Sequence, residues 1–173
     1  MRLTIPCPYL CQYDNKLHPL GSCNLTSLGM ALLHYKKDVP GEWERISDNL
    51  LDYADKNGYD RHSVDDIAAL ARKFGVADTA STATSFAQIK THLLSDNLVI
   101  IHGDFTKSGH IILLRGFDSD EGMWYVNDPA GKWPNYGNFG WEPGDGVWYE
   151  SNWFKKLTGP DGHVWAHLLK RDK

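Results

Sequence analysis

A cysteine at the start of a predicted helix is the residue of this sequence best suited to chemistry. Cys23 follows Gly21 and Ser22 and comes just before an apolar run that begins at Leu25. A thiol at a helix N-terminus lies at the positive end of the helix dipole, which favours the thiolate and lowers the pKa of the cysteine. Because the thiolate is the reactive form, this position predicts a nucleophile.

A histidine and an aspartate flank a predicted β-hairpin. His110 precedes the apolar run Ile111–Phe117, and Asp128 follows the run Met123–Asn127. The turn between the runs would place both side chains at one edge of a sheet, where the carboxylate could fix the imidazole tautomer and stabilise the imidazolium. Packed against Cys23, this pair predicts a Cys–His–Asp triad in which the histidine takes the thiol proton and later protonates a leaving amine.

Acyl chemistry at a thiolate also needs hydrogen-bond donors for the developing oxyanion. One donor is the backbone N–H of Cys23, which has no intrahelical partner at a helix start. The side-chain amide of Gln12, upstream of the cysteine, is the candidate for the second donor.

Two neighbouring residues offer alternatives for the histidine and its partner. Asn127 could orient His110 in place of Asp128, although strand alternation points only one of the two at the histidine. His102 precedes His110 on another predicted strand, and no carboxylate motif follows it at hairpin distance. We therefore predict that His102 is a core or supporting histidine and not the base.

Composition limits the classes of function. The 173 residues, 42% hydrophobic and 23% charged, are typical of one globular domain, which we predict to span residues 1–173. The net charge of -4 and the lack of a Lys/Arg cluster argue against a nucleic-acid partner. The longest apolar run is too short to cross a bilayer, and the N-terminus lacks the apolar region of a secretory signal. We therefore expect no membrane insertion and a cytoplasmic protein.

Three cysteines cannot all pair within the chain, so no disulfide framework is expected. Cys7 and Cys11 are predicted to be small buried or half-buried hydrophobic residues. The eight histidines are scattered and lack the clustered spacing of zinc ligands, so we expect neither a metal nor another cofactor. Whether an ion binds the acidic turn at Asp118–Glu121 stays open.

Hydrophobic periodicity predicts helices in the first half of the chain and strands in the second. The predicted helices are Asn24–Tyr35, Glu42–Gly58, Ser63–Phe74 and Ser85–Leu94, with a short one at Ser151–Leu157. The predicted strands are Leu98–Gly103, Ile111–Phe117, Met123–Asn127, Gly146–Glu150 and Val164–Leu169. N-terminal helices followed by an antiparallel sheet define an α+β fold.

A long glycine-rich segment, Pro129–Gly146, directly follows the candidate aspartate. It carries four aromatic residues, Trp133, Tyr136, Phe139 and Trp141. Long loops in compact domains are usually functional or mobile, so these side chains could line a substrate groove. They could equally cap the core.

The segments that hold these residues resemble a known family, the papain-like cysteine peptidases related to the enzymes that process double-glycine leaders of bacteriocins (C39-like). The resemblance covers residues 5–133 and rests on the segments Ile5–Asn15, Gly21–Leu28, His102–Ile111 and Val126–Gly131. It implies a papain-like fold with Cys23 as nucleophile, His110 as base, Asp128 as orienting residue and Gln12 in the oxyanion hole.

The resemblance further implies a thiol-dependent peptidase that hydrolyses peptide bonds without a metal. Its substrate would be a protein, a propeptide or a peptidoglycan stem peptide. Standalone relatives occur in bacteria and their phages, and a phage lysin of this kind would reach the cell wall through a holin. Two alternatives stay open: acyl transfer, as in relatives resembling phytochelatin synthases, and a catalytically inactive binding domain on the same scaffold.

Overall fold

A computed structural model describes residues 1–172 of the chain. Within this range, helices predominate in the first half and strands in the second, although two strands come early and one helix lies between the last two strands. The elements are β1 (Arg2–Thr4), a 3₁₀ turn (Gln12–Asp14), α1 (Cys23–His34), α2 (Ile46–Asn57), α3 (Val64–Lys73), β2 (Val76–Thr84), α4 (Phe86–Leu94), β3 (Val99–Gly103), β4 (His110–Asp118), β5 (Met123–Asn127), β6 (Val147–Glu150), α5 (Ser151–Thr158) and β7 (Val164–Arg171). This mixture of helices and antiparallel strands confirms the predicted α+β class.

The strands form one antiparallel sheet in the order β2-β7-β3-β4-β5-β6, and β1 pairs with the far end of β4. Every residue of the central strand β4 is buried, so both of its faces are covered. Helices α1 and α4 both pack against this strand. Among residues 1–172, no helix has the length and apolar character needed to cross a membrane.

Helix α2 begins four residues later than predicted. The side chain of Asn49 holds the preceding backbone in a loop, because its Oδ1 accepts from the Trp43 N–H at 3.0 Å and its Nδ2 donates to the Trp43 carbonyl at 3.1 Å. Trp43 therefore lies outside the helix. The helix ends as predicted, with Gly58 in the left-handed conformation that favours glycine (φ 72°).

Strands β1 and β2 were not predicted from the sequence. Strand β2 consists mainly of small and polar residues and gains its order by pairing with β7 along the edge of the sheet. Strand β1 reaches β4 only because Gly116 has no side chain, since a Cβ there would overlap the carbonyl of Leu3. Both strands depend on pairing with a neighbouring strand, β4 or β7, and neither was recognised from the residue pattern of its own segment.

Candidate active site

Strand β4 and helix α1 both begin at a residue of the candidate site. Cys23 is the first residue of α1, and His110 is the first residue of β4. Nε2 of His110 lies 2.8 Å from Oδ1 of Asp128, and both side chains are buried. Cys23 lines the same groove as His110. The structure therefore brings the three predicted residues together.

The register of the β4–β5 hairpin explains why Asp128 and not Asn127 reaches the histidine. Asn127 pairs with Leu113, so the next residue points to the opposite face, which is the face of His110. The Asn127 side chain instead donates to the carbonyl of Pro8 at 3.1 Å and accepts from a backbone N–H of the loop at 3.0 Å. Strand alternation thus excludes Asn127 as the partner of the histidine.

Two tyrosines complete the surroundings of Asp128; the sequence indicated only Tyr136 of the two as a possible groove residue and linked neither hydroxyl to this carboxylate. Oδ1 accepts from His110 and, at 3.1 Å, from the Ala130 backbone N–H. Oδ2 accepts from the hydroxyl groups of Tyr136 at 2.7 Å and Tyr149 at 2.8 Å. Burial raises the pKa of both tyrosines, so their hydroxyls stay protonated and able to donate. Four donors therefore hold a fully buried carboxylate in one orientation.

The electrostatics of the cysteine and the histidine favour an ion pair. Burial opposes the thiolate of Cys23, but the hydrogen bond and positive charge of His110 and the backbone N–H groups of Ile111 and Asn24 outweigh it and lower the pKa of the thiol. Burial likewise opposes the imidazolium of His110, but the carboxylate of Asp128 outweighs it and raises the pKa of the histidine, with a contribution from the cysteine. Because Nε2 contacts the aspartate, Nδ1 is the nitrogen that faces the thiol.

The other two cysteines differ from Cys23 in their environment. Burial raises the pKa of Cys7 to about 12, and burial also raises the pKa of Cys11. Both residues are buried and unpaired, which confirms their prediction as small buried residues. Of the three thiols, Cys23 has the only one whose surroundings favour the reactive form.

Gln12 lies in the 3₁₀ turn and lines the groove together with Cys23. Its backbone N–H donates to the carbonyl of Pro129 at 2.8 Å, which ties this turn to the segment that follows Asp128. Its side-chain Nε2 donates to the carbonyl of Pro19 at 3.1 Å, and its buried Oε1 has no partner among residues 1–172. Since an amide carries two N–H groups and Nε2 makes only this hydrogen bond within residues 1–172, its second N–H has no protein partner there.

The groove has a volume of about 800 Å³, and residues from both halves of the chain line it. Its wall includes Tyr136 of the glycine-rich loop, whose ring centroid is 4.8 Å from that of His110. Trp133 of the same loop instead packs against Trp153 with centroids 4.5 Å apart, and Phe139 is fully exposed. The aromatic residues of this loop therefore differ in their roles: Tyr136 lines the groove, Trp133 packs against the core, and Phe139 does neither.

Comparison with known proteins identifies the family. The model of the peptidase C39-like family matches residues 4–152, so the chain belongs to this family, as its segments predicted. Membership indicates a cysteine peptidase. No curated protein gives a significant match.

Two solved structures share the fold. One is a C39-like peptidase from Bacillus anthracis, with a TM-score of 0.68, 14% identity and full coverage of both chains. The other is a double-glycine motif protease from an AMS/PCAT transporter in complex with its leader peptide, with a TM-score of 0.56, 18% identity and 99% coverage of both chains.

Proposed function

We propose that this protein is a thiol-dependent peptidase that hydrolyses peptide bonds with Cys23 as nucleophile, His110 as general acid and base, and Asp128 as the residue that orients the histidine. The observation that carries the proposal is the buried hydrogen bond of 2.8 Å between His110 and Asp128, next to a cysteine whose pKa is lowered. Activated thiols of this kind are the reacting groups of cysteine hydrolases.

The reaction begins with attack of the Cys23 thiolate on the scissile carbonyl carbon. The carbonyl π electrons move to oxygen, and the oxyanion accepts hydrogen bonds from the Cys23 backbone N–H and the free amide hydrogen of Gln12. Collapse of this intermediate breaks the C–N bond while His110 Nδ1 donates its proton to the leaving amine. A thioester on the cysteine remains.

Water completes the cycle. The neutral imidazole of His110 takes a proton from a water molecule, whose oxygen attacks the thioester carbonyl. Collapse of the second tetrahedral intermediate releases the acid and regenerates the thiolate and imidazolium. Asp128, held by four donors, keeps the ring orientation constant through both halves.

The substrate class that we propose is a peptide: a protein segment, a propeptide or a peptidoglycan stem peptide in a bacterial or phage setting. A peptide-bound relative of the same fold supports an extended ligand in the groove. A thioester intermediate also permits transfer to an amine or thiol, so the product distinguishes hydrolysis from acyl transfer.

The test is cleavage of a diverse peptide mixture and of purified peptidoglycan, with new termini read by mass spectrometry. The wild type should generate new termini, Cys23→Ala should generate none, and Cys11→Ala should match the wild type. Products that carry an added amine acceptor would indicate a transferase. Absence of any product, or equal products from Cys23→Ala, would contradict the proposal and favour a binding domain.

A further inference from the structure

A second buried hydrogen-bond relay, which the proposed mechanism does not use, connects three strands next to the groove. Oδ2 of Asp78 on β2 lies 2.8 Å from Nδ1 of His167 on β7. Nε2 of His167 lies 3.0 Å from Nε2 of His102 on β3. The side chains of Asp78 and His167 have no solvent exposure. We refer to these three residues as the histidine relay.

The histidine relay ends in the groove. His102 is partly buried and lines the groove. Within the part of the chain that the structure describes, the one hydrogen bond of the His102 ring is made by Nε2. Burying ionisable groups costs free energy that apolar side chains of similar size would avoid, so a relay that reaches a groove points to ligand binding.

The relay is separate from the candidate triad. The register pairs His102 with Ile111 and Gly103 with His110, so the side chains of the two histidines leave the sheet on opposite faces. A substitution at His102 therefore leaves the His110–Asp128 hydrogen bond in place. Both histidines line the groove, but their side chains lie on opposite faces at the end of the sheet.

The hydrogen bonds determine what His102 offers to a ligand. The carboxylate of Asp78 only accepts, so the proton of His167 lies on Nδ1, and its Nε2 is an acceptor when the ring is neutral. When the proton between the two Nε2 atoms lies on His102, Nδ1 of the same ring is left as an acceptor on a residue that lines the groove. Burial and the neighbouring His167 lower the pKa of His102 to about 3, which keeps this ring uncharged.

The surroundings of His102 favour a cation. The exposed carboxylates of Asp104 and Asp161 line the same groove. The half-exposed indole of Trp165 lies with its centroid 6.2 Å from the His102 ring, and an aromatic face attracts an ammonium or guanidinium group. Among the groove residues within 1–172 there is no lysine or arginine.

We propose that this end of the groove is a subsite for a cationic side chain of the peptide substrate, in which Nδ1 of His102 accepts a hydrogen bond from the ammonium or guanidinium group. This inference rests on the proposed peptidase function, since it names the substrate class of the same groove. The buried carboxylate of Asp78 acts through both imidazoles, and the acidic rim adds attraction at longer range.

Binding is measured on the Cys23→Ala protein, so that turnover does not interfere. The probes are acetylated and amidated tripeptides, Ala-Lys-Ala, Ala-norleucine-Ala and Ala-Glu-Ala, titrated at low ionic strength. Nitrogen-15 NMR follows the His102 ring and the Trp165 indole. We expect the lysine peptide to bind at least tenfold more tightly than the norleucine peptide and to shift both signals. The free protein should show the His102 proton on Nε2.

Two substitutions examine the relay itself. His102→Gln and Asp78→Asn, each made in the Cys23→Ala protein, should reduce the lysine preference to less than threefold. The matched control His34→Gln replaces a histidine outside the groove and should keep the full lysine preference. Asp78→Asn alters a fully buried group, whereas His102→Gln alters the partly exposed end of the relay. If the Asp78→Asn protein does not fold, His102→Gln alone decides the test.

The outcomes separate this inference from the proposed function. Equal binding of lysine and norleucine peptides, preference for the glutamate peptide, a His102 proton on Nδ1, or no measurable binding of any peptide would each overturn the subsite. Selective binding of the lysine peptide, together with no cleavage by the wild type, would support the subsite while contradicting the peptidase.

Discussion

Replacing His110 with alanine tests the origin of the cysteine reactivity most directly. In the folded protein, burial raises the pKa of Cys23, and the hydrogen bond and charge of His110 lead the influences that lower it. His110→Ala removes both and leaves only the backbone N–H groups of Ile111 and Asn24 against the effect of burial. The pKa of the thiol should therefore rise.

The size of the effect follows from the strength of the lost interaction. A hydrogen bond to a charged group contributes about 1.5–3 kcal/mol, and one pKa unit corresponds to about 1.4 kcal/mol. The pKa of Cys23 should therefore increase by about one to two units in the variant. The alkylation rate at a fixed pH should fall by a smaller factor than the thiolate fraction, because a more basic thiolate is intrinsically more nucleophilic.

The assay is alkylation by limiting iodoacetamide between pH 4 and 9, with each cysteine quantified by mass spectrometry. In the wild type, Cys23 should react with a midpoint below the ~8.5 of a free thiol, and His110→Ala should move the midpoint upward. Cys7 and Cys11 provide internal references, since burial raises the pKa of both. An unchanged midpoint in the variant, or a Cys23 no faster than Cys11 at pH 6, would refute the reasoning.

Three further predictions concern the groups around the site. Tyr149→Phe removes one donor to Asp128 and leaves the partly buried backbone N–H of Trp133 without its 2.9 Å partner, so urea unfolding should show a loss of about 1–3 kcal/mol. Gly144→Ala places a Cβ against the backbone of Asp128, and a displacement of that carboxylate should lower kcat on the best peptide by about 100-fold. His102 has a pKa of about 3 when folded, because of burial and a neighbouring imidazole, and ~6.5 when unfolded, so the unfolded chain binds more protons below pH 6.5. The wild type should therefore lose about 2 kcal/mol more stability than His102→Gln between pH 7 and pH 5, measured by urea unfolding at each pH.

Each of these predictions has a control or a contradicting result. Tyr53→Phe removes a hydroxyl without a hydrogen bond in residues 1–172 and should leave stability within about 0.5 kcal/mol of the wild type. A Gly144→Ala protein with wild-type circular dichroism and full activity would contradict the role of close packing behind Asp128. Parallel stability curves for the wild type and His102→Gln would show that His102 keeps an ordinary pKa in the folded protein.

The sequence was sufficient to bring Cys23, His110 and Asp128 together because each lies at the end of an element with a strong local pattern. The helix after Cys23 has leucines at helical spacing, and the hairpin between the other two residues has a short polar turn. The alternation of side chains along each strand then determined that Asp128, and not Asn127, faces His110. The family resemblance pointed to the same residues.

The supporting residues could not be found in this way, since their roles depend on contacts between distant segments. Tyr149 lies on a strand that was predicted, but nothing in its local sequence indicates that its hydroxyl reaches Asp128. Asp78 lies on a strand of small polar residues that was not predicted at all. Its partner His167 belongs to the last strand of the sheet, so the pair exists only in the assembled fold.

The separation of Cys23 and His110 in the chain has a consequence for biosynthesis. The thiol emerges early during translation, while the strand that carries the histidine follows much later. Until β4 has joined the sheet, Cys23 has no imidazole beside it and behaves as an ordinary thiol. The thiol of an unfinished or misfolded chain therefore lacks the imidazole that lowers its pKa, and the enhanced reactivity of Cys23 depends on completed folding.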